Sequence, residues 1–454
     1  MIKKSIRYLV FLLIIFLLSL WLLDFNFTKK QFEFFKIKKI LSKDKIAFIK
    51  KKSTEFINYD FIIIKKEEYI LENTKVKFEK FSNKILKYRY YLTQNKDNIF
   101  LTTNRGEVFF FLKTNLINQK KFELKKINTN IEEIIYKEYI EDFNVIVKGI
   151  LIIDQKIYIS YINNNEDMFL IPNKCYSNAI LVGNLNTKKI NFSQFFKLKE
   201  CKNRFNLAVG GNLQKFKNNK ILLTVGDYLS YEQVKENKRE DDPQNIKSYY
   251  GKILSIDLDT KNIDILSMGH RNSQGLFYDF KEDIIFSTDH GPQGGDEINI
   301  DINPNKNTIK NYGWAISSYG EHYGFEDGDS ERVKDDINLQ ESKYKYAPLN
   351  KSHKNFGFEE PIKYFTPSIG ITQILKVNNS TNNDYKLLVG SMGYDKEEDD
   401  MTVHILNFNK DFEETKYEKI YIGERIRDMI DLNNGSIFMT LESSGSFGLL
   451  KDIY

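Results

Sequence analysis

Residues 281–292 read KEDIIFSTDHGP. A polar turn, a short run of β-branched and aromatic residues, and a close on small or polar residues make a strand-sized unit. The unit returns as NKDNIFLTTNRG at 95–106, IDQKIYISYINN at 153–164, KNNKILLTVGDY at 217–228, DYKLLVGSMGYD at 384–395 and LNNGSIFMTLES at 432–443. The predicted strands are Ile99–Thr103, Ile157–Tyr161, Ile221–Val225, Ile284–Thr288, Lys386–Gly390 and Ile437–Leu441. Their starts lie mostly about 50 to 65 residues apart, a period that suits one four-stranded sheet per repeat. The interval from Ile284 to Lys386 is longer and must carry an insertion or an unseen repeat. Sheets of this kind cannot bury both faces alone, so they pack face to face around an axis. The expected fold is all-β, a six-bladed β-propeller of four-stranded blades. An array of two-sheet sandwiches is the structural alternative.

The flanks read differently. Lys3, Lys4 and Arg7 precede an apolar run from Tyr8 to Leu23, broken only by Ser19. A helix through Ile6–Leu23 is just long enough to span a bilayer, and its basic flank should stay in the cytoplasm. No small-x-small cleavage site follows, which favours a retained anchor. The expectation is a transmembrane segment over 1–24, a charged stem over 25–80 and the propeller over 81–454. That places the chain in the inner membrane as a single-pass protein with its propeller on the periplasmic side. The net charge is +5, from 67 basic and 62 acidic residues, which argues against nucleic acid as a partner. Cys175 and Cys201 are the two cysteines, and in an exported domain they read as a disulfide, with two free buried thiols as the alternative.

The repeat at 281–292 sits inside a denser window. GHRNSQG at 269–275, DHGPQGGDEIN at 289–299 and NYGW at 311–314 follow one another within 46 residues. These three motifs resemble the glucose/sorbosone dehydrogenase family, with weaker matches across most of Ile99–Leu450. The resemblance implies a six-bladed propeller that holds pyrroloquinoline quinone (PQQ) and calcium, and a small-molecule sugar as substrate. Arg271 and Asn272 match the family's cofactor-contacting pair. Arg425 and Arg427 stand two apart in ERIRD, so a strand there projects both to one face, as clamps for carboxylates. Gly291 and Pro292 match the pair whose backbone carbonyls bind calcium. Asp296 and Glu297 read equally as further ligands or as turn caps.

The resemblance fails at the general base. The family's His ahead of its Gly-Arg element falls on Ala208, and that element reads Gly211-Asn212. No histidine precedes residue 270. A cofactor-facing Lys expected after LLVGS is also missing, with Met392 and Gly393 in that stretch. Asp227 is the substitute candidate, with turn capping as the competing role. His270 and His290 read as structural hydrogen-bonders. Two functions therefore stand side by side. One is a PQQ-dependent aldose dehydrogenase passing electrons to an external acceptor. The other is a non-catalytic propeller binding a sugar, a polysaccharide or a protein partner.

Overall fold

The computed structural model describes residues 59–453, apart from 73, 84–87, 119–120, 136–146, 165–174, 203–207, 218, 229–241, 293, 315, 321–352, 378–384 and 394–400. The expected anchor and the stem up to residue 58 lie outside the described residues. Among the described residues no helix is long and apolar enough to cross a membrane.

In chain order the strands are β1 (Tyr59–Leu71), β2 (Thr74–Ser82), β3 (Tyr90–Asn95), β4 (Asn98–Thr103), β5 (Val108–Leu112) and β6 (Lys121–Thr129). Next come β7 (Val147–Ile153), β8 (Lys156–Asn164), β9 (Tyr176–Asn184), β10 (Lys189–Ile190) and β11 (Phe192–Lys197). They are followed by β12 (Gly210–Phe216), β13 (Lys220–Val225), β14 (Lys252–Asp257) and β15 (Ile263–Met268). After these lie β16 (Ser273–Asp279), β17 (Ile284–Asp289), β18 (Asp296–Ile302), β19 (Lys310–Asn311) and β20 (Lys363–Phe365). The last are β21 (Ile371–Val377), β22 (Tyr385–Ser391), β23 (Thr402–Phe408), β24 (Glu414–Tyr421), β25 (Ile426–Asp431), β26 (Ser436–Leu441) and β27 (Ser446–Lys451).

Antiparallel meanders build the sheets β7-β8-β9-β11, β16-β17-β18-β20 and β21-β22-β23-β24, and β12-β13-β14-β15 gains β19 in parallel at its edge. The remaining strands form one continuous sheet, β25-β26-β27-β2-β1-β6-β5-β4-β3. The first strands β3, β7, β12, β16, β21 and β25 pack side by side in that order, and β25 returns to β3. The molecule is all-β and propeller-like.

The stem needs correcting. Its part from Tyr59 onward is strand, and β2 pairs with β27 near the C-terminus, Phe78 opposite Leu450 and Phe81 opposite Phe447. Val76, Phe78 and Phe81 are buried while the lysines between them are outward or partly covered. Lysine density hid that alternation. The expected insertion is also explained: residues 303–362 separate β18 from β20 within one sheet, and β19 in that segment joins the neighbouring sheet at β15.

A recurring hydroxyl bridges five of the six neighbouring pairs of first strands. Ser160 Oγ donates to the Gly211 carbonyl. Thr224 Oγ1 donates to Ser273 O at 3.0 Å, Thr288 Oγ1 to Thr372 O at 2.6 Å, and Thr440 Oγ1 to Tyr90 O at 3.2 Å. Between β21 and β25 the donor is Thr372 itself, to Ile426 O at 2.9 Å. These hydroxyls explain why the repeated units close on small polar residues: a buried carbonyl at a sheet junction needs a donor. Between them lie apolar layers, such as Leu151, Tyr158 and Ile180 against Ile221, Leu223 and Leu254.

Cys175 and Cys201 form a disulfide, S–S 2.03 Å, beside an antiparallel bridge between Tyr176 and Lys202. It ties the start of β9 to the segment after β11. Closing this loop contributes about 3 kcal/mol by the loop-entropy argument. Cys201→Ser should lower the urea midpoint accordingly, and reductant should do the same to the parent protein but not to the variant. Equal midpoints with and without reductant would show that the bond carries no stability.

Candidate functional site

Five of the six first strands are irregular in one consistent place, while β3 keeps an unbroken register with β4. The register with the second strand slips between Val147 and Gly149, Gly210 and Leu213, Ser273 and Gly275, Ile371 and Ile374, and Ile426 and Asp428. A bulge re-aims the residue it contains. The bulged residues include Lys148, Asn212, Gln274, Gln373 and Arg427. Second-strand hydroxyls accept the amides that the bulges release: Thr224 Oγ1 from Gly211 and Asn212, Thr288 Oγ1 from Gly275, and Thr440 Oγ1 from Asp428.

These side chains meet. Asn212 Nδ2 donates to Gln373 Oε1 at 3.2 Å and to Gln274 O at 2.8 Å. Arg427 Nη1 donates to Gln274 Oε1 at 3.3 Å, and Gln274 Nε2 to Asn272 Oδ1 at 2.9 Å. Asn272 is thereby linked to Arg427, as one shared site requires.

Asp289 at the end of β17 holds the Arg271–Asn272 loop. Its carboxylate accepts from Asn272 N at 2.6 Å, Arg271 N at 3.2 Å, Ser273 Oγ at 3.1 Å and, with an appropriate tautomer, His270 Nδ1 at 3.0 Å. His270 is fully buried, and its Nε2 meets Ser267 Oγ at 2.8 Å. This histidine is a structural hydrogen-bonder. Among the described residues the His290 side chain meets only a distant carboxylate, Asp296 at 4.0 Å. Burial lowers its pKa, Asp296 opposes this, and both Arg271 and Arg427 add to the lowering, so those two arginines act on one imidazole.

Arg271 Nη1 donates to the carbonyls of His290 at 3.1 Å and Gly291 at 2.8 Å, and its guanidinium lies 5.7 Å from the Trp314 ring. Asp296 accepts from Gly291 N, Ser368 Oγ, Ile369 N and Ile371 N, all within 3.1 Å. Glu297 accepts from Asn299 Nδ2 and meets His353 Nε2 at 2.8 Å. Both carboxylates are committed to fixing the chain, the capping role of the two weighed for them. Asp227 accepts the Trp314 indole N–H at 2.7 Å, and its amide donates to Arg271 O. It positions that indole. Ala208 lies alongside, its carbonyl accepting from Tyr228 N at 3.0 Å.

Charge collects at the other side of the belt. Glu442 is enclosed, its side chain 6% exposed, and faces three arginines. Arg427 donates to it from Nε and Nη2, Arg89 Nε stands at 3.1 Å and Arg425 Nε at 3.7 Å. Burial would raise the Glu442 pKa, but Arg427 and Arg89 outweigh it and hold the carboxyl below its ordinary value. Arg425 also donates to Met392 O and Gly393 O, covering the stretch where the family's Lys was expected. Lys148 adds an amine nearby, its positive charge disfavoured by burial, Arg427 and Arg89 and favoured by Glu442. Three guanidinium groups around one enclosed carboxylate leave an excess of positive charge, which favours an anion.

This donor set fits a polycarboxylate such as PQQ. A lone divalent cation fits it poorly. The Gly291 carbonyl is already taken by a guanidinium, and among the described residues no group of three or more His, Cys, Asp or Glu side chains is placed to hold a metal. The motifs led to Arg271, Asn272, Arg425 and Arg427. They did not lead to Arg89, Lys148, Gln274, Gln373 or Glu442. The available signal was the position of each just before or within a first strand, or after β26.

A family model described as glucose / sorbosone dehydrogenase matches residues 98–450. An uncharacterized protein of Synechocystis is 24% identical over 214 residues, 44% of this chain and 45% of that protein. The aldose sugar dehydrogenase of Escherichia coli is 30% identical over 192 residues, 41% of this chain and 43% of that protein. The chain thus matches under half the length of these curated relatives. The crystal structure of the soluble aldose sugar dehydrogenase from Escherichia coli in its apo-form superposes with a TM-score of 0.56 at 19% identity, over 83% of this chain and 99% of that one.

Proposed function

The chain belongs to the glucose/sorbosone dehydrogenase family, and from that membership we propose that it is a PQQ-dependent aldose dehydrogenase. In this reading the closed order of first strands counts six blades. Residues 1–24 anchor the chain in the inner membrane, and the propeller works in the periplasm, passing electrons to an external acceptor. The observation that carries the proposal is the excess of positive charge that Arg89, Arg425 and Arg427 place around the enclosed Glu442.

Arg425, Arg427 and Arg271 orient the cofactor's carboxylates, and Asn272 supplies an amide beside them. When bound, PQQ supplies a two-electron acceptor. Gly291 and Pro292 would hold calcium through their backbone carbonyls, the Gly291 oxygen being the one that Arg271 Nη1 occupies here. The second reading, a non-catalytic propeller, draws on Ala208, which cannot take a proton.

Calorimetric titration of the full chain tests both readings. PQQ should bind in the presence of calcium, whereas calcium alone should give no heat because Arg271 holds its carbonyl. Quinone bleaching on adding aldoses would then mark an enzyme. No PQQ binding would leave a propeller for recognition, and saturable calcium binding without PQQ would overturn the proposed order.

A further inference from the structure

We propose that Lys148 takes the place of the missing histidine as the general base, accepting the proton of the sugar's anomeric hydroxyl. The inference rests on the dehydrogenase reading and deepens it.

Lys148 stands in the bulge of β7, against Gly211 in the bulge of the neighbouring first strand β12. It is 8% exposed. Among the described residues its ammonium makes no hydrogen bond and no ion pair. The neighbouring sheet is shaped to admit it. A Cβ on Gly211 would stand 2.3 Å from Lys148 Cβ and 2.9 Å from its Cγ, and Gly211 has φ +103°. Gly211 therefore gives the lysine stem its space and cannot become Ala without moving it.

The charges facing Lys148 come from two other elements and the segment leading into β3. Arg427 lies on β25, Glu442 follows β26 and Arg89 precedes β3. The Tyr91 hydroxyl of β3 interacts with the same arginines and Glu442. Burial lowers the lysine pKa first, Arg427 and Arg89 lower it further, and Glu442 opposes them, leaving it at about 7. A free amine is then present near neutral pH, which an ordinary lysine with a pKa of about 10.4 does not offer.

The reaction balances as follows. Lys148 Nζ takes the O–H proton from the anomeric carbon. The C–O bond becomes a carbonyl, giving a lactone. The C–H bond breaks with its electron pair, and the hydride passes to the bound quinone oxidant. An external acceptor removes the two electrons, and solvent receives the proton from Nζ.

Two measurements on the full chain test this. The first is competitive acetylation with acetic anhydride across pH, read at Lys148 by peptide mass spectrometry. A midpoint near 7 is expected, against about 10 for surface lysines. PQQ should raise that midpoint, because its carboxylates favour the ammonium. The second is the rate of aldose-dependent quinone reduction in Lys148→Met and Lys148→Arg, with PQQ binding monitored by absorbance. Both variants should bind PQQ and lose about 10²–10⁴-fold in kcat. The parent rate should rise with pH as Lys148 loses its proton, and the rise should persist in His290→Gln.

If Lys148→Arg keeps the parent rate, the lysine serves by charge alone and the proposal fails. An ordinary labelling midpoint sinks it as well. A parent protein that binds PQQ, labels with a midpoint near 7 and reduces nothing would sink the dehydrogenase reading, and the base with it. An active parent and an unimpaired Lys148→Met would sink only the base.

Discussion

Glu442→Gln should cost about 3–5 kcal/mol of unfolding free energy, the usual penalty for removing one partner of a buried ion pair. The reason is local arithmetic of charge. Arg89, Arg425 and Arg427 share this one carboxylate, whose side chain is 6% exposed. Without it the cations repel one another in a poorly solvated place. Urea denaturation at low salt measures the loss. PQQ should restore part of it, since a ligand at 100 times its Kd adds about 2.7 kcal/mol to the folded state. The Lys148 labelling midpoint should also fall below that of the parent, because Glu442 is the group that opposes its depression. A Glu442→Gln protein as stable as the parent, and indifferent to PQQ, would mean that solvent already neutralises the cluster. The cofactor proposal would then lose its main support.

The same physics decides what could be read in advance. Each of the six recurring units falls on a second strand: β4, β8, β13, β17, β22 and β26. A second strand is paired on both edges and covered on both faces, so its apolar run is nearly unbroken; β17 and β26 are buried from end to end. That is why the repeat was legible. The first strands carry polar residues at a bulge, which spoils alternation, and the outer strands are half exposed. The Arg271–Asn272 loop was legible because its motif is local. Lys148 was not, since one lysine among so many carries no signal until packing encloses it. Glu442 was hidden for a related reason: Arg425 and Arg427 lie across the β25-β26 hairpin from it, but Arg89 reaches it only where β25 meets β3.

Restoring a histidine tests the exchange of bases directly. Ala208 is 6% exposed, and its carbonyl bonds Tyr228, next to the Asp227 whose amide bonds Arg271. Position 208 therefore lies one residue from the cofactor loop's partner. Ala208→His should fit at a packing cost of about 1–3 kcal/mol. In a Lys148→Met background it should recover up to the 10²–10⁴-fold that a positioned base contributes. In the parent background the gain should be far smaller, because one proton needs one acceptor. Such strong non-additivity identifies two residues sharing a role. If Ala208→His multiplies the rate equally in both backgrounds, the two positions act independently and Lys148 is not the base. If it rescues neither, while PQQ still binds and the parent turns over, the proton leaves by a route through neither residue. The dehydrogenase reading would survive that outcome and the inference about Lys148 would not.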